Sequence, residues 1–566
     1  MSADGTAIIK RYDKLKQERY NFDERWERMA PYLAPSRVGI ITKFYPGDKQ
    51  TRGVYDSSSM VAAELSAHFI SGNVINPGQR WLDYYMQDPE VRDSDEVKEW
   101  LEECRDLTLR RLDASLFYAE GPESLIDYVG FGTGNLICEE APQPVNQVIR
   151  GFRGFRFEAV KIGRFVIQEG PNSIVDTMGR EFEMTARNIR DRWGPQGGNL
   201  PPQVVEAIRT GNLDKPFTVI HFVEPRPIAE QGAGAKGMPW ASSWVEKESK
   251  EVIWESGYRT FPGAVPRYHR TPGEVYGRGR GDLAFPDTWT LNTAKRMGLE
   301  DWSLKIRPPL FMRHDSVLGS LRLVPAGPTS INTHGARIQD VIMPYQTGSH
   351  PEVSQIKEEE LRKSIREIFF VDALRQLLQF EEKANTRQTR EEFVRKLEIL
   401  FRIMGPVYGR MRWEWLNRIV DITFDIQLNA GAFPPPPPIV QNSDGVVDVN
   451  FQNPLERAQK TGDAEALQLS LMDLTPLAGQ YPQMLDHINP DKTALGIFAL
   501  RGFPAKWTNN GDEVAAIRQA RAEKEIQENR LDDLEKVAGA AGKAAPLLKA
   551  AQTGGEAPTS MGGAQG

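Results

Sequence analysis

The chain has 566 residues, 40% hydrophobic and 26% charged, which describes a folded protein of several domains with a sizeable core. Its formal net charge is −7, whereas a protein that grips nucleic acid tightly is usually basic, because affinity comes largely from neutralising phosphates. Two cysteines, Cys104 and Cys138, are too few for a disulfide framework and fit a reducing compartment. No apolar run is long enough for a membrane-spanning helix.

In chain order, the opening stretch shows no long apolar core of a signal peptide, and residues 7–33 read as a helix. Ile8, Tyr12, Leu15 and Arg19, then Phe22, Trp26, Met29 and Leu33, recur at helical spacing, and Pro35 ends the pattern. "VYDSSSMVAAELSAHFISGNVINPGQRWL" follows at 54–82, with Ser57, Ser58 and Ser59 nine or more residues before His68. A catalytic serine needs a strained turn, a positioned base and oxyanion donors, and no GxSxG surrounds these three. Asp56 or one of the serines is read instead as the N-cap of a helix. Val61, Leu65 and Phe69 form one stripe on it and Ala62, Ser66 and Ile70 a second, with Gly72 and "NPG" ending it.

Residues 95–118 are a further helix, with Trp100, Cys104, Leu107 and Arg111 on one side. From 133 to 260 the texture turns to short β-type runs: "NLICEE", "FRFEAV", "RFVIQE", "EFEMT" and "FTVIHFVE". "VDTMGREFEMTARNIRDRWG" predicts a hairpin turning at Met178-Gly179, then a helix capped by Thr185 and stopped at Gly194. "GRGRGD" at 277–282 lacks a preceding strand and meets Pro286 within a turn, so it reads as a flexible hinge rather than a phosphate loop.

A helix is predicted over 287–305, stopped by "RPPL", and 310–350 is irregular. Leu361, Ile365, Ile368 and Phe369 mark another helix, whose apolar pattern "EEKANTRQ" interrupts. Thr389 and Glu392 make a capping box. Phe393, Leu397, Leu400, Met404, Val407 and Met411 then form a heptad-like seam, with a kink expected at Pro406. "FPPPPPIV" at 433–440 is read as an extended spacer in preference to an adaptor ligand. "VVDVNF", helices over 454–475, a charged helix over 512–537 and an Ala/Gly-rich tail expected to be disordered complete the chain.

The seven histidines are dispersed, no Cys/His cluster has zinc spacing, and "GAGAKG" at 232–237 lacks the order of a nucleotide-binding loop. No catalytic residue, metal site or cofactor is therefore assigned. The whole reads as α+β, mainly helical.

Several pieces, in order, resemble the portal, or head-to-tail connecting, family of short-tailed bacteriophages. They are Tyr55-Asp56-Ser57 with "NPGQRW" ending at Trp81, "IVDTMGREFEMT", "YGRGRGDLAFPDTWTLN" with "RPPLF", "NTRQTREEF", the Gly405-Pro406 helix, "FPPPPP" and "FQNPLERAQK". "NTRQTREE" is more charged than the threonine/alanine-rich version associated with that family.

The resemblance implies a non-enzymatic, twelve-subunit ring at one capsid vertex, through which DNA enters and leaves. It implies a wing of mixed α/β structure over 1–281 and 390–451, stem helices over 282–306 and 351–379, and a clip over 307–350. A tunnel loop falls over 380–389, a helical crown over 452–537 and a disordered tail over 538–566. Expected partners are the packaging terminase, the capsid protein, tail adaptors and double-stranded DNA. The expected location is the virion, with the host cytoplasm during assembly. Lys383 and Arg387 would be multiplied by ring symmetry into circles of positive charge in the channel; otherwise they are solvated surface charges. A different ring-forming virion protein, such as a tail adaptor, is the rival reading.

Overall fold

The computed structural model describes residues 4–42, 47–92, 94–141, 152–312, 342–344, 351–372, 405–441, 447–451, 489–501 and 513–527, with single residues between some of these. The predicted tunnel loop, the capping box at Thr389, most of the heptad seam, the helices over 454–475 and the tail lie outside the described residues.

Helices α1 (Gly5–Glu18) and α2 (Tyr20–Leu33) replace the single predicted helix. The break falls at Arg19, which is fully buried and donates to the Gly163 carbonyl at 2.8 Å and to the Phe165 carbonyl. The predicted stripe is the buried one: Ile8, Tyr12, Leu15, Trp26, Met29 and Leu33 all face the core. Helix α3 (Ser58–Val74) runs through Gly72 and stops at Val74. It buries only the second predicted stripe, Ala62, Ser66 and Ile70, while Val61 and Leu65 stay 45% and 41% exposed. After the short α4 (Pro89–Arg92), α5 (Asp95–Asp113) and α6 (Phe117–Phe131) divide what was read as one helix. Trp100 and Cys104 are buried on α5 as expected.

The β-rich region forms two antiparallel sheets. Strands β4 (Phe165–Glu169), β5 (Val175–Thr185), β6 (Pro216–Pro225), β7 (Trp240–Glu246) and β8 (Val252–Tyr258) pair in sequence order. Strand β2 (Leu136–Glu140) lies between β3 (Phe155–Ala159) and the two-residue β9 (Gly263–Ala264). The hairpin expected at Met178-Gly179 is not there: both residues sit mid-strand in β5, paired with Val223 and Phe222. Gly179 serves close packing instead, since a Cβ there would crowd Phe222 and Tyr12. The chain reverses before β5, where Ser173 takes a positive φ of 58° and donates to the Gly170 carbonyl at 3.0 Å. Helix α7 (Ala186–Trp193) does begin at Thr185, whose side chain accepts from the Asn188 N–H, and ends at Gly194. Helix α8 (Pro202–Arg209) packs beside it.

Helix α9 runs Arg280–Ile306, seven residues earlier than predicted, and takes Pro286 into its second turn. A proline at this seventh helical position cannot donate back to the Asp282 carbonyl, and the helix absorbs the loss of that one bond among its 27 residues. "GRGRGD" is therefore no hinge. Its backbone bridges from Arg278 to His269, and Asp282 accepts from the Gly279 N–H at 2.9 Å as α9 begins. A Cβ at Gly277, Gly279 or Gly281 would overlap backbone of Gly130 or Gly132, so these glycines let two chain segments touch.

Beyond α9, β10 (Leu310–Met312) pairs antiparallel with β11 (Ile342–Pro344), and a helix then covers Pro351–Ile368. Residues 405–411 are helical, Arg412–Asn417 form a π-turn, and Arg418–Asn429 continue as α-helix. Pro406 stands near the start of that described stretch, and the irregularity falls at the π-turn after it. The proline run divides: 434–437 have no regular structure, with Trp100 donating to the Pro434 carbonyl at 3.0 Å, and Pro438–Gln441 turn helical. "VVDVNF" becomes β12 (Val447–Phe451), which pairs with β1 (Leu82–Met86) in the register Leu82 to Phe451. Residues 513–527 of the charged helix are helical, and Arg518 reaches Asp491 at 2.9 Å.

One core holds α2, α3, α5, α6, the three-stranded sheet and the 405–429 helix together around Trp26, Trp81, Phe117, Tyr128 and Trp415.

Candidate functional site

Helix α9 and the Pro351–Ile368 helix lie antiparallel, as three contacts in register require. Arg280 sits over the Phe370 ring at 4.2 Å, Ser364 donates to Asp287 at 2.6 Å, and Lys295 reaches Glu358 at 3.4 Å. Numbers rise on one helix as they fall on the other.

The loop before α3 fastens this pair. The Tyr55 N–H donates to the Asn292 side chain at 2.7 Å, and the Asn292 amide donates back to the Gly53 carbonyl at 3.1 Å. Asp56 accepts from the Ser58 N–H at 2.9 Å and from Arg362 at 2.9 Å. One carboxylate thus starts α3 and ties it to the Pro351–Ile368 helix. Burial alone would push the Asp56 carboxyl up, but the hydrogen bonds from Ser58 and Arg362 outweigh it and hold it below the usual carboxylate range. Ser59 is buried with its hydroxyl 2.6 Å from that of Thr288 on α9.

These contacts settle what the three serines do. Asp56, one position before the N-cap Ser57, accepts from the first helical N–H, that of Ser58. Ser59 bonds across to α9, and His68 faces outward on the exposed side of α3. Thr288 and Asn292, which meet Ser59 and the loop before α3, and Lys295, which meets Glu358, escaped the sequence reading. Their spacing of four and three residues puts them on one helix face, but α9 carries polar residues on its other faces too, so the spacing alone did not single them out.

A second buried cluster ties the sheets to the 405–429 helix. Arg267 is almost wholly buried and donates to Glu414 of the π-turn at 2.6 Å and to Glu169 of β4, which Arg270 also engages at 2.8 Å. Burial raises the Glu169 carboxyl, and the hydrogen bonds from Arg270 and Arg267 more than reverse that.

Among the described residues no group of three or more His, Cys, Asp or Glu side chains comes together as a metal-holding set, and no helix is long and apolar enough to cross a membrane. Lys383 and Arg387 lie outside the described residues.

The outer side of α9 exposes large apolar side chains: Trp289 is 53% and Trp302 62% exposed, with Met297 and Ile306 also in the open. The outer side of the Pro351–Ile368 helix is instead charged, with Lys357, Glu359, Glu360, Lys363 and Glu367 exposed around Ile356. A long helix held by a polar clasp on one side and exposing tryptophans on the other suits an assembly subunit. The chain belongs to the bacteriophage head to tail connecting protein family, whose model matches residues 5–508. It is 25% identical over 527 residues to the probable portal protein of Bordetella phage BPP-1, an alignment spanning 92% of this chain and 91% of that one. It is 24% identical over 523 residues to the portal protein of Salmonella phage epsilon15, spanning 91% and 90%. Members of this family are structural proteins, not enzymes.

Proposed function

We propose that this portal protein closes into a ring of twelve copies at one capsid vertex, with double-stranded DNA passing through the centre during packaging and ejection. The portal role rests on the family match, and the two portal proteins aligned along nine-tenths of the chain favour it over the tail-adaptor reading. The observation that carries the ring is the clasped antiparallel pair, α9 and Pro351–Ile368, with the large apolar side chains of α9 turned outward. A face of that kind is stable in water only when covered.

In this reading α9 and the Pro351–Ile368 helix are the stem, 282–306 and 351–379, and the segment between them, 307–350, is the clip toward the packaging terminase or a tail adaptor. The wing spans 1–281 and 390–451 and meets the capsid protein. The tunnel loop is 380–389 and the crown 452–537. The net charge of −7 suits a channel that DNA must slide through, because each phosphate ion pair adds affinity and drag.

The test is the mass and symmetry of the purified assembly at near-physiological salt. A closed ring with an open centre and about twelve-fold symmetry is expected. A protein that stays monomeric at concentrations where portals assemble overturns the ring.

A further inference from the structure

Helix α3 carries apolar side chains on opposite sides. Ala62, Ala63, Ser66, Ala67 and Ile70 face the core, yet Val61 and Leu65 project from the opposite side, beside Glu64 and His68. Apolar residues on both sides of a helix call for cover on both. Three of its sides are covered, by α2, by α6, and by α9 with the Pro351–Ile368 helix. The remaining side carries Val61, Glu64, Leu65, His68 and Gly72, at the spacing of one helix face.

Helix α9 has the same double character. Ala284, Thr288, Leu291 and Asn292 face inward. Trp289, Met297 and Leu304 are exposed, and Arg296 lies on the same outer face. Because Ser59 and Thr288 meet on the inner sides of both helices, the two outer faces point away from each other.

We infer that these faces are the two halves of one contact: the Val61–Leu65–His68 face of one copy seats against the Trp289–Met297 face of the next. The inference rests on the ring reading and says which surfaces make it. A ring is built head to tail, so each subunit must present two different surfaces that fit each other. Here both surfaces sit on the same three-helix layer and point in diverging directions.

The shorter face fits within the longer: Val61 to Gly72 spans about 16 Å of helix and Trp289 to Leu304 about 22 Å. Gly72 has open space where a side chain would stand, which leaves room for a bulky group such as the Trp289 indole. Their charges agree as well. Glu64 stands exposed beside the α3 stripe, and Arg296 is exposed beside the α9 stripe, with Glu300, 3.7 Å away, as its ion-pair partner among the described residues.

Engineered cysteines test the pairing, since Cys104 and Cys138 are buried and leave little background. Leu65→Cys and Trp289→Cys are made singly, co-expressed, and combined in one chain, then treated with a short bis-maleimide. Each single variant gives no cross-link between copies, and the co-expressed pair gives dimers and nothing longer. The double variant gives a ladder rising to the full ring. Cross-linking of Leu65→Cys to itself shows a two-fold contact and overturns the inference. Rings that form without cross-linking in the double variant overturn it too, while leaving the ring intact. A monomer at every concentration defeats the ring and this contact together.

Leu65→Glu gives an independent readout. With circular dichroism unchanged, it raises the concentration needed for half-assembly by about tenfold or more. Ile228→Glu, 87% exposed on the loop after β6, leaves that concentration unchanged. Equal effects from both substitutions remove α3 from the interface.

Discussion

Arg362 donates to Asp56 at 2.9 Å across 306 positions of the chain, and the same carboxylate accepts from the Ser58 N–H at the start of α3. A local signal and a distant partner meet in one side chain, which makes Asp56 the point where α3 and the Pro351–Ile368 helix are joined.

Asp56→Ala removes the hydrogen bond to the first N–H of α3 and an ion pair at once and is expected to destabilise the fold by about 1–2 kcal/mol in urea unfolding. The folded carboxyl is held below its unfolded value, so its stabilising contribution is full above the usual carboxylate range and fades as pH falls through it. Asp56→Asn keeps an oxygen for the Ser58 N–H. It recovers part of the loss while flattening that pH dependence. A wild-type slope in the Asn variant would mean the titrating group lies elsewhere.

Two glycine substitutions have opposite signs. In Gly281→Ala the new methyl overlaps the Gly130 carbonyl and the Leu33 side chain, with an expected cost of about 3 kcal/mol. Gly298 lies inside α9 with only Glu358 near its missing Cβ, at 3.9 Å, and Gly298→Ala stabilises by about 0.5–1 kcal/mol. Thermal melts of the two variants check both. If Gly281→Ala melts like the parent, the close approach of α9 to α6 is wrong.

His221 is wholly buried, stacked on Trp244 with ring centroids 3.9 Å apart, and takes a hydrogen bond from Arg180 at Nδ1, 3.0 Å away. That leaves Nε2–H to donate to Ser242 at 2.9 Å. Burial, then the charges of Arg180, Arg192 and Arg156, hold its pKa well below the ordinary histidine value. The unfolded chain therefore binds this proton more readily, and stability falls as pH drops below about 6.5. His221→Gln is expected to flatten stability between about pH 5 and 6.5. An unchanged slope there would assign the acid sensitivity to other groups.

If Lys383 and Arg387 line the proposed tunnel loop, Lys383→Ala with Arg387→Ala is expected to leave fold and ring nearly intact, because exposed loop charges contribute little to stability. DNA retention or packaging would change with salt instead, since circles of positive charge attract the phosphate backbone. Thr389→Ala is the control: with Thr389 as the cap that the sequence predicts, its loss would cost about 1 kcal/mol without removing charge. Packaging and retention equal to the parent at every salt concentration would make the two side chains ordinary surface charges.

Local chemistry was legible from the chain alone. The Thr185 cap, the stop of α9 before Pro308, the buried stripe of α1 and α2 and the β-rich block depend on nearest neighbours and spacing, which a sequence displays directly. The family resemblance was legible too, because it lies in the order of short motifs, and the match over residues 5–508 agrees with it.

What failed depended on contacts distant in sequence. Gly179 looks like a turn residue but sits mid-strand where Tyr12 needs its missing side chain, and "GRGRGD" looks flexible but is packed against Gly130 and Gly132. Both apolar stripes of α3 were readable, and nothing in the sequence said which the chain itself would cover. The tertiary structure decided that by placing α2, α6, α9 and the Pro351–Ile368 helix on three sides of α3. Helical periodicity reports that a face is apolar. Only the three-dimensional arrangement of the other helices reports whether the same chain buries it, because burial is a property of neighbours that may stand hundreds of residues away.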